Sequence, residues 1–274
     1  DTGASIAQIS FAKSTLLTPG EIPPVMAPTL NLNGNFTIVA DPNNGLGTTG
    51  IPISGWTESN TSGTGTWQTC HAGSYTDGVG GAACVEKFTS GDDWSGCLCS
   101  ETLSDNNVPV DEMLDIYTQT AGFPSPFEYV FGKPIEDKYD VRDEILATGG
   151  GELADCTGLN NTYLAGLDKP YVWVTGDCDV PSVGSLALPV LLVVEGKMKL
   201  NATTNAWGLL VSITEVASNG AAIVHGSLIA EGDADIANGG YTQVYDERVL
   251  LALTDDTLNV NIAKVSYSWR DFTP

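Results

Sequence analysis

Four aspartates recur at equivalent positions of short repeated segments, and paired carboxylates are the groups that acid and base catalysis on sugars requires. Asp177 and Asp179 lie in the segment VTGDCDV, and Asp233 and Asp235 lie in AEGDADI. Such pairs on the flank of stacked strands are typical of a β-helix polysaccharide hydrolase or lyase. Alternating charges are also typical of a solvated strand face, and neither an aromatic platform nor an arginine accompanies them. We expect a solvated face and keep the enzyme as an alternative.

Two histidines, His71 and His225, are the remaining candidates for proton transfer, and the chain has no G-x-S-x-G nucleophile elbow. His225 aligns with Trp207 in the repeat described below. This alignment predicts a packed or edge position rather than a general base, and the nearby Asp246 does not change it. The sequence predicts no catalytic residue and no enzymatic activity.

Three glycines, Gly45, Gly47 and Gly50, follow a β-like segment with the spacing of a dinucleotide-binding turn. That turn requires a helix immediately after the glycines and an acidic residue about 20 positions later. Here the next residues are IPISGW, which predict another strand, and the later region TSGTGTWQTC has no acidic residue. We therefore predict a loop at the glycines and no cofactor.

The chain has six cysteines and only two histidines. An even number of cysteines with few histidines predicts disulfides formed in an oxidising compartment rather than a metal site. The cysteines are Cys70, Cys84, Cys97, Cys99, Cys156 and Cys178. Cys156 lies just before the first repeat and Cys178 lies within it, so we expect these two to pair. Cys97 and Cys99 are too close to bond easily, so each should join one of the remaining two, in an order that the spacing leaves open.

No complete metal-ligand set is present in the sequence. Cys70-His71 and Cys97-x-Cys99 lack the regular Cys-x-x-Cys spacing of zinc sites. Asp92, Asp93 and Asp105 could hold calcium, but no twelve-residue EF-hand pattern surrounds them, and solvated turns are the simpler interpretation. We predict no metal site.

The charge balance argues against a nucleic-acid partner. Acidic residues number 34 against 11 basic ones, which gives a net charge of −23. Nucleic-acid affinity depends mainly on Lys and Arg that displace counterions, and here they are scattered. The richest apolar run, LALPVLLVV, is also too short to span a membrane.

Composition and periodicity predict a mainly β fold with short helices. Asn33-Gly34 separates two alternating segments and predicts a hairpin. Ser125, Pro126 and Glu128 form a capping box that starts a helix. A second helix is predicted over 138–149 with Val141, Ile145 and Leu146 on one face, whereas residues 4–17 could be the end of a helix.

An internal repeat appears from Tyr171 onward. The segments VTGDCDV (174–180), VEGKMKL (194–200) and AEGDADI (230–236) align with offsets of 20 and 36. The repeat glycines are Gly176, Gly196 and Gly232, together with Gly208 and Gly226. Each period of about 18–20 residues predicts one coil of a right-handed parallel β-solenoid over 171–250, with inward aliphatic side chains stacked between coils.

An ordered series of segments gives the chain a resemblance to a known family. The segments are FEYVFGKP, YVWVTGDC, LPVLLVVEGKMKLN, WGLLV, VHGSLIAEGDADIANGG, VYDERVL and the terminal SWRDF. In this order they resemble the C-terminal region of PilX-type minor pilins of bacterial type IV pili, over roughly Leu30 to Phe272. The resemblance implies a pilin-like, cysteine-rich β/α region over 1–170, the solenoid over 171–250 and a C-terminal strand over 251–274 that returns to the first region.

The resemblance also implies a function. Such minor pilins are non-enzymatic heads that help to initiate or cap pilus assembly near the tip, and so support adhesion and twitching motility. Their partners are other minor pilins and a large tip adhesin. They reside in the inner membrane and periplasm before assembly and at the cell surface afterwards. Membrane contact is expected only through an N-terminal hydrophobic helix that the printed sequence lacks. Contacts with partner pilins should lie mostly on that helix and on the pilin-like part near it, so this chain by itself should be largely monomeric.

A secreted adhesin or ligand-binding module is the other alternative. Trp56, Trp67 and Trp94 lie in or near the cysteine-bearing region and could anchor a ligand. Aromatic residues in disulfide-tied loops more often form local core, and this is the placement that we expect.

Overall fold

A computed structural model describes residues 6–8, 11–14, 16–17, 22–40, 54–57, 62–78, 80–84, 96–105, 113–115, 124–236, 239–254, 261–264 and 270–272. Over these residues the chain is mainly β, with parallel sheets and a few short helices, as the sequence predicts. The helices are α1 (Pro126–Phe131), α2 (Lys138–Ala147), α3 (Asn161–Ala165) and α4 (Glu247–Thr254). None of the helices among these residues is long and apolar enough to cross a membrane.

The strands are short in the first part of the chain and longer in the second. The first part contains β1 (Ile6–Gln8), β2 (Phe11–Ser14), β3 (Val25–Ala27), β4 (Leu30–Asn33), β5 (Asn35–Ala40), β6 (Gly55–Thr57), β7 (Ser62–Thr64), β8 (Trp67–His71), β9 (Tyr75–Asp77), β10 (Cys97–Cys99), β11 (Ser104–Asp105) and β12 (Met113–Asp115). The second part contains β13 (Gly151–Leu153), β14 (Tyr171–Val174), β15 (Cys178–Val180), β16 (Val190–Val194), β17 (Met198–Asn201), β18 (Asn205–Ser212), β19 (Val216–Asn219), β20 (Ile223–Ala230), β21 (Ala234–Ile236), β22 (Gly240–Val244), β23 (Asn261–Lys264) and β24 (Arg270–Phe272).

Two large sheets contain most of these strands. The larger sheet has the order β11-β8-β5-β22-β20-β18-β16-β14-β13, with β3, β6 and β12 beside it, and the smaller has the order β15-β17-β19-β21-β4-β7. From β14 to β21 the chain alternates between the two sheets, and successive strands within each sheet pair in parallel at offsets of 20 and then 18 residues. We call this arrangement the strand stack.

Aliphatic side chains fill the space between the two sheets. One row runs in register through Val172, Leu192, Leu210, Leu228 and Val25, and each of these residues is 0% exposed. Because parallel strands lie about 4.8 Å apart, each side chain in such a row contacts the next. Burial of these rows, which removes apolar surface from water, stabilises the stack.

Helices α1 and α2 pack on the outer face of the larger sheet. Ser125 caps α1 by accepting a hydrogen bond from the Glu128 amide at 3.3 Å, and Pro126 occupies the first helical position, as the capping box predicts. Phe127 and Ile145 then pack against the sheet beside the fully buried Trp173. The sheet is therefore apolar on both faces here.

Helix α2 forms where the sequence predicts it, but one of its three predicted buried residues is on the outside. Val141 and Ile145 are fully buried, whereas Leu146 is 37% exposed. Successive residues on a helix are about 100° apart, so Leu146 turns away from the sheet that Ile145 contacts. The prediction for Leu146 was wrong.

The predicted hairpin at Asn33-Gly34 is also wrong. Strand β4 pairs in parallel with β21 and β7, whereas β5 pairs in parallel with β22 and β8 in the other sheet. Gly34 has a φ of 108° and turns the chain from one sheet to the other. Strands β3 to β5, and then β6 to β8, thus continue the strand stack beyond β20 to β22.

The two ends of the chain meet in antiparallel pairs. Strand β1 pairs with β24, and β2 pairs with β23. Within residues 4–17, the described backbone is therefore extended rather than helical, which corrects the interpretation of that segment as the end of a helix.

Candidate functional site

Asp179 and Asp235, one from each aspartate-bearing repeat, lie too far apart to form a catalytic pair. Asp179 and Asp235 lie on the outer face of the smaller sheet, but strands β17 and β19 separate their strands. Three strand spacings correspond to about 14 Å, which exceeds the separation of about 5–9.5 Å between glycosidase carboxyls. Asp179 forms an ion pair with Lys199 at 3.5 Å, and Asp235 accepts a hydrogen bond from Asn31 at 2.7 Å. These contacts fit a solvated sheet face.

Asp177 and Asp179 do share a shallow cavity of about 270 Å³ beside the Cys156–Cys178 disulfide, together with Asp155. Asp177 accepts a hydrogen bond from the Lys197 amide at 2.9 Å. Asp155 accepts one from the Thr157 amide at 2.8 Å, and hydrogen bonds from Thr157 lower the pKa of the Asp155 carboxyl. A carboxyl held ionised in this way is poorly suited to act as a general acid.

His225 lies inside the protein, paired in register with Trp207 as the repeat predicts. The two rings stack with centroids 3.5 Å apart and planes 5° apart, and His225 is 0% exposed. Burial lowers the pKa of the imidazole well below its ordinary value, and the Arg248 cation acts in the same direction. The neutral ring is thus packed against an aromatic neighbour, away from any solvent-filled site.

The repeat glycines occupy places where a side chain would overlap neighbouring backbone. Gly226 has a φ of 114°, and a Cβ there would collide with the carbonyl oxygen of Gly208 in the adjacent strand. A Cβ at Gly196 would collide with the backbone at Gly176, and one at Gly232 would collide with the Thr214 carbonyl. These glycines allow the close approach of successive strands.

All six cysteines are bonded in pairs. Cys156 is bonded to Cys178, the pair that the sequence predicts, and the order left open is Cys70 with Cys99 and Cys84 with Cys97. Asp77 lies beside Cys84 and Cys97, a grouping that resembles a metal site. Sulfur atoms in a disulfide are not thiolates, so this grouping lacks the ligands that a metal requires. Asp92 and Asp93, which were considered for calcium, lie outside the described residues.

The tryptophans that could anchor a ligand differ in position. Trp56 is only 8% exposed and packs edge-on against Tyr129 with ring centroids 5.2 Å apart. Trp67 is half-buried and stacks flat on Phe36 at 5.6 Å. Trp94 lies outside the described residues. Trp56 and Trp67 therefore contribute to local core, as expected.

Lys197, just before β17, and Lys199, on β17, each form an ion pair with a carboxylate. Lys197 contacts Glu215 at 2.7 Å, and Lys199 contacts Asp179 at 3.5 Å. The hydrogen bond that the Lys197 ammonium donates to the Glu215 carboxylate raises the pKa of Lys197. These cations are already paired, so this part of the chain offers phosphate groups no open basic patch.

A half-buried carboxylate that sequence reasoning missed joins α1 to the strand stack. Glu231, just after β20, accepts a hydrogen bond from the Phe127 amide at 2.8 Å. Burial raises the pKa of the Glu231 carboxyl, while its hydrogen bonds with Phe127 and Ser125 act in the opposite direction. The only sequence signal is an acidic residue at the end of a strongly apolar strand.

The clearest candidate for ligand binding is a groove of about 460 Å³ on β22, β5 and β8. Thr242, Thr37 and Gln68 lie side by side in register on these strands, and Asp105 of β11 lies opposite Gln68. Leu98 of the disulfide-bonded strand β10 also lines the groove and is 53% exposed. Strands β22, β5 and β8 continue from the first half of β20, whereas β3 and β6 continue from its second half. We call the branch formed by β22, β5 and β8 the third face, and this feature the third-face groove. Its lining includes Asn35, Phe36, Thr37, Thr66, Trp67, Gln68, Leu98, Asp105, Gly240, Tyr241 and Thr242.

Three comparisons of the chain with known proteins found no match. No family model matches the chain, and neither the curated proteins nor the solved structures contain a significant match.

Proposed function

We propose that this chain is the head of a type IV minor pilin, which helps to initiate or cap pilus assembly near the tip and contacts other minor pilins or a tip adhesin. The head is non-enzymatic in this proposal. It acts in the inner membrane and periplasm before assembly and at the cell surface afterwards.

The observation that carries the proposal is the position of the family-like segments in the strand stack. YVWVTGDC, LPVLLVVEGKMKLN, WGLLV and VHGSLIAEGDADIANGG contain strands β14, β16, β17, β18, β20 and β21 in chain order. Of these, β14, β16, β18 and β20 are successive neighbours in the larger sheet. These strands pair with one another in parallel and in register. The order that links the sequence to the pilin family therefore coincides with the order of spatial neighbours, which favours a shared architecture over a chance series of short matches.

The finer architecture forms part of the proposal. We assign the strand stack as a right-handed β-solenoid, since parallel crossovers have this hand in almost all proteins. Its interior rows of aliphatic residues and its disulfide at the first coil make a rigid element suited to presenting a surface at the end of a filament. The pilin-like head would then comprise the region that the resemblance assigns to residues 1–170.

Two observations weaken the alternative of a polysaccharide hydrolase or lyase. Asp179 and Asp235 are separated by two intervening strands, and each already has a partner. Asp155 is held as a carboxylate by its hydrogen bonds. The third-face groove supports the other alternative, a ligand-binding module, better than the structure supports a hydrolase. Ligand binding is also compatible with a pilin head at the pilus tip.

The proposal is tested by deleting the gene and counting surface pili by electron microscopy, with twitching measured on the same strains. We expect fewer pili and reduced twitching, because minor pilins prime assembly. Complementation should succeed with a form in which this chain follows an N-terminal hydrophobic helix, and should fail with this chain alone.

The matched control is a strain complemented with the helix-bearing form that carries Leu251→Ser, a change at an exposed position of α4. It should restore piliation fully. Normal piliation, motility and adhesion in the deletion strain would together refute the proposal. Release of reducing ends from a glycan panel by the purified chain would instead favour the hydrolase.

A further inference from the structure

We propose that the third-face groove binds a neutral oligosaccharide. This inference goes beyond the role in pilus assembly and does not depend on it. It rests on the hydrogen-bonding row of the groove, the absence of cations from its described lining, and an apolar side chain that is held exposed at its edge.

The floor of the groove carries hydroxyl, amide and carboxylate groups in a fixed row. Thr242 pairs in register with Thr37, Thr37 with Gln68, and Gln68 with Asp105. Three strand spacings give the row a length of about 14 Å. A row of this length with groups on successive strands can contact more than one ring of a sugar chain.

The chemistry of the row matches a polyol. A threonine hydroxyl and a glutamine amide each both donate and accept hydrogen bonds, and a carboxylate accepts them. Sugar hydroxyls also donate and accept, so they can pair with all three kinds of group. Few precisely placed polar groups beside apolar contacts are typical of small-molecule sites, and a volume of about 460 Å³ lies within their usual range.

The row is partly preorganised in the free protein. The Gln68 side-chain amide donates to the Thr37 hydroxyl at 3.2 Å, and the Thr102 hydroxyl donates to the Asp105 carboxylate at 3.3 Å. Side chains that are already ordered lose less entropy when a ligand binds.

Charge excludes an anionic ligand. Among the described lining residues there is no Lys, Arg or His, and Asp105 contributes a carboxylate. With a net charge of −23 the whole chain repels phosphate and acidic polymers. Charge therefore disfavours an anionic ligand, and the paired donors and acceptors of the row favour a polyol.

Leu98 supplies the apolar contact that the C–H face of a sugar ring requires. It lies between Cys97 and Cys99, each of which is bonded to a cysteine outside the strand. The two disulfides hold strand β10 in place, and Leu98 remains 53% exposed beside the polar row. The exposed side chain of Leu98 leaves apolar surface in contact with water, which is unfavourable. Contact with a ligand would remove that surface from water and so favour binding.

Strand pairing disfavours an extended peptide as the occupant. Peptides that add to a sheet need a strand edge with unpaired backbone groups. Strand β5 already lies between β22 and β8, and β8 lies between β5 and β11. The floor therefore offers side chains rather than a free edge.

The test is isothermal titration of the purified chain with oligomers of two to six units of glucose, galactose, mannose and N-acetylglucosamine. Oligomers of galacturonic acid and an uncharged hexapeptide complete the panel. We expect at least one neutral oligomer to bind, with no measurable binding of the acidic oligomers or the peptide. Thr37→Val, which removes a hydroxyl at nearly constant shape, and Leu98→Ser should each weaken that binding at least tenfold.

Leu251→Ser provides the matched control for Leu98→Ser, since it removes a similarly exposed leucine, at 51%, from a position of helix α4 that is not part of the groove lining. It should leave the affinity unchanged. Circular dichroism spectra that match the unsubstituted chain would show that each variant is folded. Absence of binding by every neutral oligomer at millimolar concentration, or binding that Thr37→Val and Leu98→Ser leave unchanged, would overturn the proposal. Preferential binding of the acidic oligomers or the peptide would overturn it as well.

Discussion

The strand stack and the disulfide-tied segment (residues 70–100, described at 70–78, 80–84 and 96–100) are stabilised by different kinds of contact. In the stack, rows of aliphatic side chains such as Val172, Leu192 and Leu210 are fully buried between paired strands. The segment has two short paired strands, β9 and β10, and is bonded through Cys70–Cys99 and Cys84–Cys97. Repetition multiplies equivalent contacts, whereas the described part of the segment combines a smaller buried cluster with covalent ties.

The difference predicts different weak points. A cavity in the stack removes contacts from the coils on both sides of it, because each row continues through several strands. A broken disulfide in the segment releases a loop but leaves the aliphatic rows in place. Substitutions in each region can therefore show how far the two unfold independently.

The largest effect should come from Leu192→Ala in the interior of the stack. Leu192 is 0% exposed and lies between Val172 and Leu210, so its loss leaves a cavity that the paired strands cannot fill. We expect the free energy of unfolding to fall by about 4 kcal/mol in urea titrations at 25 °C. Leu251→Ala, at a position that is 51% exposed, should change it by less than about 0.5 kcal/mol. A loss below about 1 kcal/mol for Leu192→Ala would show that the interior is loosely packed.

A smaller effect should follow from replacing Cys84 and Cys97 together by serine. Their disulfide spans 13 residues, and a cross-link of this length contributes about 3 kcal/mol. We expect hydrogen exchange to accelerate in residues 72–84 and 96–100, while amides of β16 and β18 keep their protection. Ser100→Ala removes a 3.0 Å hydrogen bond to the Ser74 carbonyl in the same segment and serves as the control. Equal loss of protection in both regions would mean that they unfold as one unit.

The smallest effect concerns Glu231, which joins helix α1 to the stack. Its folded-state pKa is raised above the ordinary 4.5, so its stabilising contribution is present below the unfolded pKa and is lost as the pH rises through the folded pKa. The glutamine of Glu231→Gln cannot ionise, so this variant should gain stability relative to the unsubstituted chain as the pH rises from 4.5 to neutral. The gain should not exceed about 0.5 kcal/mol, because the carboxyl is partly exposed and solvent screens its interactions.

Urea unfolding at several pH values measures this difference, with Glu101→Gln as the control because Glu101 is exposed and lies just after the disulfide-tied segment. A difference that stays constant with pH, or that favours the unsubstituted chain as the pH rises, would contradict the assigned direction of the Glu231 pKa.

The local features of this fold could be predicted from the sequence because their signals are local. The capping box at Ser125 predicted the start of α1, and the alignment of His225 with Trp207 predicted their register. The proximity of Cys97 to Cys99 predicted that each would bond elsewhere. In each case, residues close together in the chain, or one repeat apart, determine the outcome.

The features that sequence reasoning missed depend on residues that are far apart in the chain. Asn33-Gly34 has the composition of a hairpin, yet the partners of β4 and β5 are β21 and β22. The third-face groove was missed for the same reason, since Thr37 and Thr242 become neighbours only through that pairing. Neither local propensity nor the repeat period specifies which distant strands join.

The pairing of β3 and β5 with β20 and β22 also has a consequence for the time course of folding. These partners are separated by about 200 residues of chain, so the early strands cannot pair with them until the later ones have been synthesised. At a translation rate of about 5–20 residues per second, that delay is roughly 10–40 s. During this interval the apolar side chains of β3 and β5 lack their native neighbours in β20 and β22 and are open to association with other chains.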